Sequence, residues 1–193
     1  SVSKIVDSRQ KYTIATGIQE LTAMHCIDKL DAIQSKLTSP NTVVLHEAQY
    51  AMVKLKGFEG LQFLDTLQYP LSDWQQMRLL KSITIIPNGS ETTIIHWLNS
   101  ADTTIVVFTL RLIRKMQLLS CYRAVLSLQH HAHDKVVIQV VKTLQALENE
   151  DTLTDLITIF NQHNAIVQKE VIKVLKISSN RKSVDFLESQ LLY

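Results

Sequence analysis

Histidine, glutamate and lysine recur in this chain at spacings that invite a chemical reading. His46 and Glu47 stand side by side in an apolar, helix-like run, and such a pair could contribute to a metal centre. A bridged metal site needs several ligands per metal. The equivalent pairs in later parts of the chain are Val107-Phe108 and Ile138-Gln139, and residues 76–78 read Gln-Met-Arg. His46 and Glu47 are therefore expected to be solvent-exposed helix residues. His130-His131-Ala132-His133-Asp134 is the densest cluster of ligand types, but zinc sites draw on two separated short motifs and no second group stands out. It reads as a surface loop with Asp134 capping the following helix, and solitary His96 and His163 read as surface or turn residues. Cys26 and Cys121 lie far apart in apolar contexts and read as two buried free thiols. Phosphate-loop, nucleophile-elbow and paired-carboxylate arrangements are missing, so no catalytic residue, metal or cofactor is assigned.

Charge gives a stronger signal. Lys81, Arg111, Lys142 and Lys173 recur at steps of 30, 31 and 31, and Arg114 and Lys176 stand one turn beyond two of them. Acidic residues collect elsewhere: Asp31, Glu59, Asp65, Glu91, Asp151, Asp155, Asp185 and Glu188. A net charge of +2 is too mild to imply nucleic acid by itself.

These residues must be positioned by helices. Of 193 residues, 46% are hydrophobic and 20% charged, which suits a folded domain with a sizeable core, and four Gly with three Pro are few for an all-β fold. No apolar run approaches the roughly 20 residues of a membrane span. Shifting the chain by 31 residues superimposes apolar positions repeatedly: Ile105, Val136 and Val167; Leu110, Val141 and Ile172; Ile113, Leu144 and Leu175. In the following helix of each unit, Ile94, Val125, Leu156 and Leu187 coincide, as do Trp97, Leu128 and Ile159, so Trp97 is expected in the core. At the amino end Leu21, Met24, Ile27, Leu30 and Ile33 fall on Met52, Leu55, Phe58, Leu61 and Leu64. Within a unit the spacing is helical, as in Val137, Val140, Val141, Leu144 and Leu147.

Asn41, Ser72, Asp102, Asp134 and Asn164 stand where first helices should begin, and Ser90 and Asp151 where second helices should; each can cap free N–H groups. Pro40 and Pro70 precede the second and third units. The predicted architecture is all-α: a right-handed α-α superhelix, or solenoid, of about six two-helix repeats forming a single domain over residues 1–193. The repeats are 8–38, 39–69, 70–100, 101–131, 132–162 and 163–193. The third is irregular, with a longer turn Ile86-Pro87-Asn88-Gly89-Ser90, where a change of superhelical pitch is expected. That turn also explains the glycosylation-like triplet Asn88-Gly89-Ser90.

A period near 31 with paired helices resembles the HEAT and HEAT-like repeat superfamily over nearly the whole chain. Val44-Leu45-His46-Glu47-Ala48 with Met52 and Leu55 is similar to that family's first-helix pattern, whereas the expected small residue is Thr109, Val140 or Val171 in other units. Deoxyhypusine hydroxylases are HEAT-like and hold iron with several His-Glu pairs, of which this chain has one. HEAT-like DNA glycosylases place basic and aromatic groups on a concave face that here leans acidic. Bilin lyase subunits built from similar repeats have no sharp motif to compare.

The resemblance implies a scaffold whose second helices line the concave face. A non-catalytic role binding a protein or peptide there is expected, through Gln62, Asp65, Arg123, Asp155 and Asp185. The alternative partner is an anionic surface, membrane lipid or nucleic acid, met by the basic outer ridge of Lys81, Arg111, Arg114, Lys142, Lys173 and Lys176. The opening Ser-Val-Ser, without Met, reads as an excised or processed piece, so an upstream membrane anchor is conceivable; a cytoplasmic setting is expected for the domain itself. The closing Phe186-Leu187…Leu191-Leu192-Tyr193 is expected to pack inward on the preceding unit.

Overall fold

Capping side chains decide where several helices begin. The structure, a computed structural model, describes residues 2–177 and 181–191, with side chains described from 10 to 177 and from 183 to 189. Every element among these residues is helical, and no strand occurs among them. The chain divides into two compact units, Ser1–Asn88 and Gly89–Tyr193. The division falls inside the irregular Pro-Asn-Gly turn, where Gly89 has φ +83.

In the first unit, α1 (Val2–Ala23) leads through 3₁₀ turns at Ile27–Lys29 and Ser35–Thr38, which flank the short α2 (Leu30–Gln34). Next come α3 (Thr42–Lys56), a 3₁₀ run Gly57–Thr66, and α4 (Asp73–Ser82). α3 is central and packs against α1, α2, the 3₁₀ run and α4. Asn41 caps α3 by accepting from the N–H groups of Val43 and Val44, both at 3.1 Å. Ser72 and Gln75 form a reciprocal capping box on α4. Ile18, Ile33, Val44, Ala48, Ala51 and Met52 form a buried cluster, edged by Leu21, Leu30, Leu37 and Leu55. Met24 and Ile27, expected among the repeated apolar positions, are instead exposed in the turn after α1.

In the second unit, α5 (Glu91–Leu98) and α6 (Thr103–Met116) precede α7 (Tyr122–Leu126), which lies between 3₁₀ turns at Leu119–Cys121 and Ser127–His130. α8 (Asp134–Leu147), α9 (Thr152–Gln162), α10 (Ala165–Leu175) and α11 (Arg181–Leu191) follow. α6 packs on α8 and α8 on α10, while α9 packs against both α8 and α10. Their shared core contains Trp97, Phe108, Leu110, Ile113, Val136, Val141, Leu144, Leu156, Ile159 and Val167. Thr143 donates from its buried hydroxyl to the Leu110 carbonyl at 3.1 Å, satisfying a side chain between two first helices. Leu187 is half-buried; the Leu191 side chain, Leu192 and Tyr193 lie outside the described residues.

Three of the expected caps, and the expected second helices, need correction. Asp134 does not cap α8: the cap position is His133, with no side-chain capping bond, and Asp134 is the first helical residue. Its carboxylate instead accepts from the Asn164 amide at 2.8 Å. Ser90 and Asp151 occupy cap positions, but neither makes a side-chain capping bond. The second segments of three units are also not continuous α-helices, since residues 27–38 and 119–130 alternate 3₁₀ and α turns and 57–66 is 3₁₀ throughout.

The same sequence of elements recurs at an offset of 92 residues. Ile27–Lys29 matches Leu119–Cys121, Leu30–Gln34 matches Tyr122–Leu126, and Ser35–Thr38 matches Ser127–His130. Cap residues Asn41 and Ser72 likewise correspond to His133 and Asn164. The match extends to the left-handed residues His25 (φ 56) and Gln117 (φ 53), the two non-glycine positive-φ positions among the described residues. Each ends its helix with a Schellman pair: Cys26 N–H to Leu21 O with His25 N–H to Thr22 O, and Leu118 N–H to Ile113 O with Gln117 N–H to Arg114 O. A side chain in this conformation costs about 1 kcal/mol relative to glycine. Gln117→Gly is therefore expected to raise the urea midpoint by an amount worth about 1 kcal/mol, and an unchanged or lower midpoint would refute the capping account.

Candidate functional site

Glu47 and Arg78 are the most tightly organised polar pair. The Arg78 guanidinium donates Nη1 to Oε1 at 2.7 Å and Nη2 to Oε2 at 2.8 Å, a bidentate fork between α3 and α4. The Arg78 Cζ lies 3.7 Å from the centre of the Tyr50 ring and 5.3 Å from that of Trp74. Gln19 of α1 adds a side-chain hydrogen bond, so one carboxylate joins α1, α3 and α4. Burial alone would push the Glu47 carboxyl up, but the hydrogen bonds and charge of Arg78 outweigh it and hold the pKa below its ordinary value. His46, half-buried at the same cleft, is held below its ordinary value by burial, with the Glu47 charge opposing.

The exposed reading of His46-Glu47 is thus corrected, because Glu47 is buried against a cation one period along the chain. A carboxylate filled by a two-pronged guanidinium has its lone pairs engaged, so the arrangement works as a clasp between helices. The cleft lined by His46, Tyr50, Trp74 and Arg78 encloses only about 10 Å³.

Five of the six predicted basic residues lie on α4, α6, α8 and α10, and Lys176 directly follows α10. Lys81 is exposed near the end of α4 in the first unit. In the second unit, Arg111 and Arg114 on α6 and Lys142 on α8 are half-buried, while Lys173 on α10 and the adjoining Lys176 are exposed. Glu170 of α10 sits among them with its side chain 15% exposed, 3.5 Å from the Lys142 ammonium and 4.0 Å from that of Lys173. Burial, then the neighbouring Arg111 charge, depress the Arg114 pKa, and Glu170 opposes them. Glu47 and Glu170 are the two residues that reading the acids as a second-helix set misses. The signal for both was available, since each stands about one period from a cation on the adjoining first helix.

The second segments carry the five predicted partner-binding residues. Gln62 and Asp65 are exposed on the 3₁₀ run. Gln62 borders an open groove of about 170 Å³ lined from residues 34–37 and 52–66, among them buried or half-buried Leu37, Met52 and Phe63 and exposed Glu59, Gln62 and Thr66. Arg123 is exposed and bonds to Asp151 at 3.1 Å. Asp155 is half-buried and accepts from the buried Tyr122 hydroxyl at 2.7 Å, with Thr152 Oγ1 3.2 Å from the same oxygen. Burial and these acidic neighbours push the Tyr122 phenol upward, so it stays a donor. Asp185 is exposed on α11.

The histidine cluster does not converge on a centre. His131 and His133 rings are 5.5 Å apart, and the His133 N–H donates to His131 Nδ1 at 3.1 Å, a turn bond. His163 Nε2 lies 2.7 Å from the Gln129 carbonyl at the turn before α10. Among the described residues no group of three or more His, Cys, Asp or Glu side chains could hold a metal ion. Both cysteines are free; Cys121 is buried, whereas Cys26 is half-buried. No helix among the described residues is long and apolar enough to cross a membrane.

In comparisons with known proteins, the chain matches no family model, no curated protein and no solved structure.

Proposed function

We propose that the chain is a non-catalytic binding module that grips a protein or peptide segment on the side formed by its second helical segments. The observation that carries this reading is the groove of about 170 Å³ bordered by Gln62. A groove lined by both polar and apolar side chains offers hydrogen bonds for orientation and burial for part of an anchoring side chain.

The architecture that fits is a right-handed, HEAT-like solenoid of about six repeats. In support, several side-chain hydrogen bonds between elements span 28 to 34 residues, as in Glu47–Arg78, Tyr122–Asp155, Arg123–Asp151 and His163–Gln129. Recurrent bonds at that separation are what stacked units, each touching its neighbours, would make. The recurrence of elements at an offset of 92 residues points the same way, being close to three periods.

Affinity capture with the purified chain tests the reading. Gln62→Trp fills the groove from its exposed edge, and a Lys173→Glu, Lys176→Glu variant changes charge elsewhere. A discrete protein held by wild type and by the lysine variant, but reduced at least about tenfold by Gln62→Trp, is the expected result. Retention indifferent to Gln62→Trp overturns the groove as the binding site.

A further inference from the structure

Two exposed stripes border the cleft at the Glu47–Arg78 clasp. On α4, Trp74, Met77 and Lys81 follow at steps of three and four, along one side of the helix. On α3, Val43, His46, Tyr50 and Lys54 follow at steps of three, four and four. His46, Tyr50 and Trp74 line one cleft, and the Arg78 Cζ lies 3.7 Å and 5.3 Å from the Tyr50 and Trp74 ring centres, so the two stripes adjoin. Trp74 is 62% exposed, Met77 68% and Val43 41%, although tryptophan is usually largely buried. The groove residues Met52 and Lys56 stand two positions after Tyr50 and Lys54, about 200° around α3, so the groove opens on the other side of that helix.

Tryptophan, tyrosine, methionine and arginine are the types enriched at the centre of protein interfaces, where a few aromatic anchors carry most of the binding energy. Charge narrows the partner further. Glu47 is the one acidic residue of α3, and Arg78 holds its carboxylate. Lys54 and Lys81 are exposed in the last turns of α3 and α4. The negative end of each helix, roughly half a unit charge, offsets only part of a full ammonium. Asp73, the one acid of α4, begins that helix about 12 Å along the axis from Lys81. The surface therefore runs from an apolar end to a positive one. Trp74 and Lys81 are about 10 Å apart along α4, a length that an extended chain spans in about three residues. The complement is a segment with an apolar side chain and, three residues on, carboxylates. A single-stranded nucleic acid fits less well. Trp74 offers a base a stacking face, but the Arg78 fork is spent on a carboxylate, and a phosphate backbone offers nothing to Met77 and Val43.

We propose that these stripes of α3 and α4 form a binding surface for an acidic peptide segment, whose apolar side chain packs against Trp74, Met77 and Tyr50 while its carboxylates meet Lys54 and Lys81. The surface is independent of the groove reading, because it uses other residues and a different chemistry.

Acrylamide quenching of tryptophan fluorescence in the whole chain decides it, since of the two tryptophans Trp74 is exposed and Trp97 is only 2% exposed. The probe is a terminally blocked peptide, Gly-Ser-Phe-Gly-Ser-Glu-Glu-Gly, with controls that carry Ser for Phe or Gln for both Glu. The parent peptide is expected to protect Trp74 from the quencher, and to bind more weakly as salt rises. Each control should bind at least about fivefold more weakly. Met77→Glu, at an exposed position outside the clasp, should weaken binding at least about tenfold, and Lys54→Gln with Lys81→Gln about fivefold. Thermal melts of these variants that match wild type tie the losses to the surface. Gln62→Arg, in the groove, should leave binding unchanged. Quenching of Trp74 that the peptide does not alter at up to about 1 mM overturns the proposal. So does binding indifferent to Met77→Glu or to the lysine pair, loss of binding in Gln62→Arg, or tighter binding of an oligouridine than of the peptide.

Discussion

Arg78→Met is expected to lower the unfolding free energy by about 2–4 kcal/mol, the range for stranding one partner of a largely buried ion pair. Methionine keeps much of the stem volume and removes the fork, stranding the Glu47 carboxylate, whose side chain is 11% exposed in the intact pair, without its cation. The contact with the Tyr50 ring is lost as well. Replacing both partners, as Glu47→Leu with Arg78→Met, should recover much of the loss, because no charge is then stranded. The pH dependence follows from the depressed Glu47 pKa. A carboxyl held lower in the folded than in the unfolded chain stabilises above its ordinary value, about 4.3, and that contribution disappears as pH falls through the depressed folded value. The gap between wild type and Arg78→Met should therefore narrow on acidification, since a buried Glu47 without Arg78 gains by taking up a proton. Urea titrations at neutral and acidic pH measure this. A loss below about 1 kcal/mol at pH 7 would mean that the clasp is only a surface ion pair.

That clasp also shows where sequence reading reaches its limit. The apolar periodicity predicts burial well: Ile105, Val136 and Val167 are all buried, as are Ile113, Leu144, Leu175 and Trp97. A helix that packs on both neighbours must bury the same stripe each time, so the requirement is written into the spacing. Asn41, Ser72, Asp102 and Asn164 cap as their types predict, because capping is local. Asp134 fails since a neighbour one residue earlier takes the cap position while Asn164, on the next first helix, claims its carboxylate. Glu47 fails for a related reason. Asking whether residues 76–78 repeat the His-Glu pair finds no second metal ligand, yet Arg78 at the equivalent of Glu47 is its complement. Identity along a period reveals the core, whereas complementarity along the same period reveals the clasps. Exposure of Met24 and Ile27 in the turn after α1 depends on tertiary placement that periodicity does not encode.

The 3₁₀ run Gly57–Thr66 is the element least visible in the sequence, and its glycines lead to the second large prediction. Runs beyond three or four residues are uncommon because 3₁₀ hydrogen bonds are poorly aligned, so packing has to sustain this one of 10 residues. Phe58, Leu61, Phe63 and Leu64 bury themselves along it, which holds the segment close against α3. Gly60 marks the closest approach. A methyl there would overlap the Met52 carbonyl and come within 2.7 Å of Val53 Cα, both backbone positions with no rotamer to move away. Gly60→Ala is therefore expected to cost about 3 kcal/mol or more, at the upper end of overpacking effects, and to deform the groove that Gln62 borders. Gly57, which follows α3 with φ 62 and ψ −134, meets no atom within 4 Å, so Gly57→Ala carries only the strain of a backbone conformation that favours glycine, about 1–3 kcal/mol. Gly17→Ala, inside α1 with open space around it, should instead stabilise by roughly 0.5–1 kcal/mol. Thermal and urea unfolding of the three variants should rank them in that order. A Gly60→Ala protein as stable as wild type would show that the run can move away from α3, and that its 3₁₀ geometry does not depend on the contact.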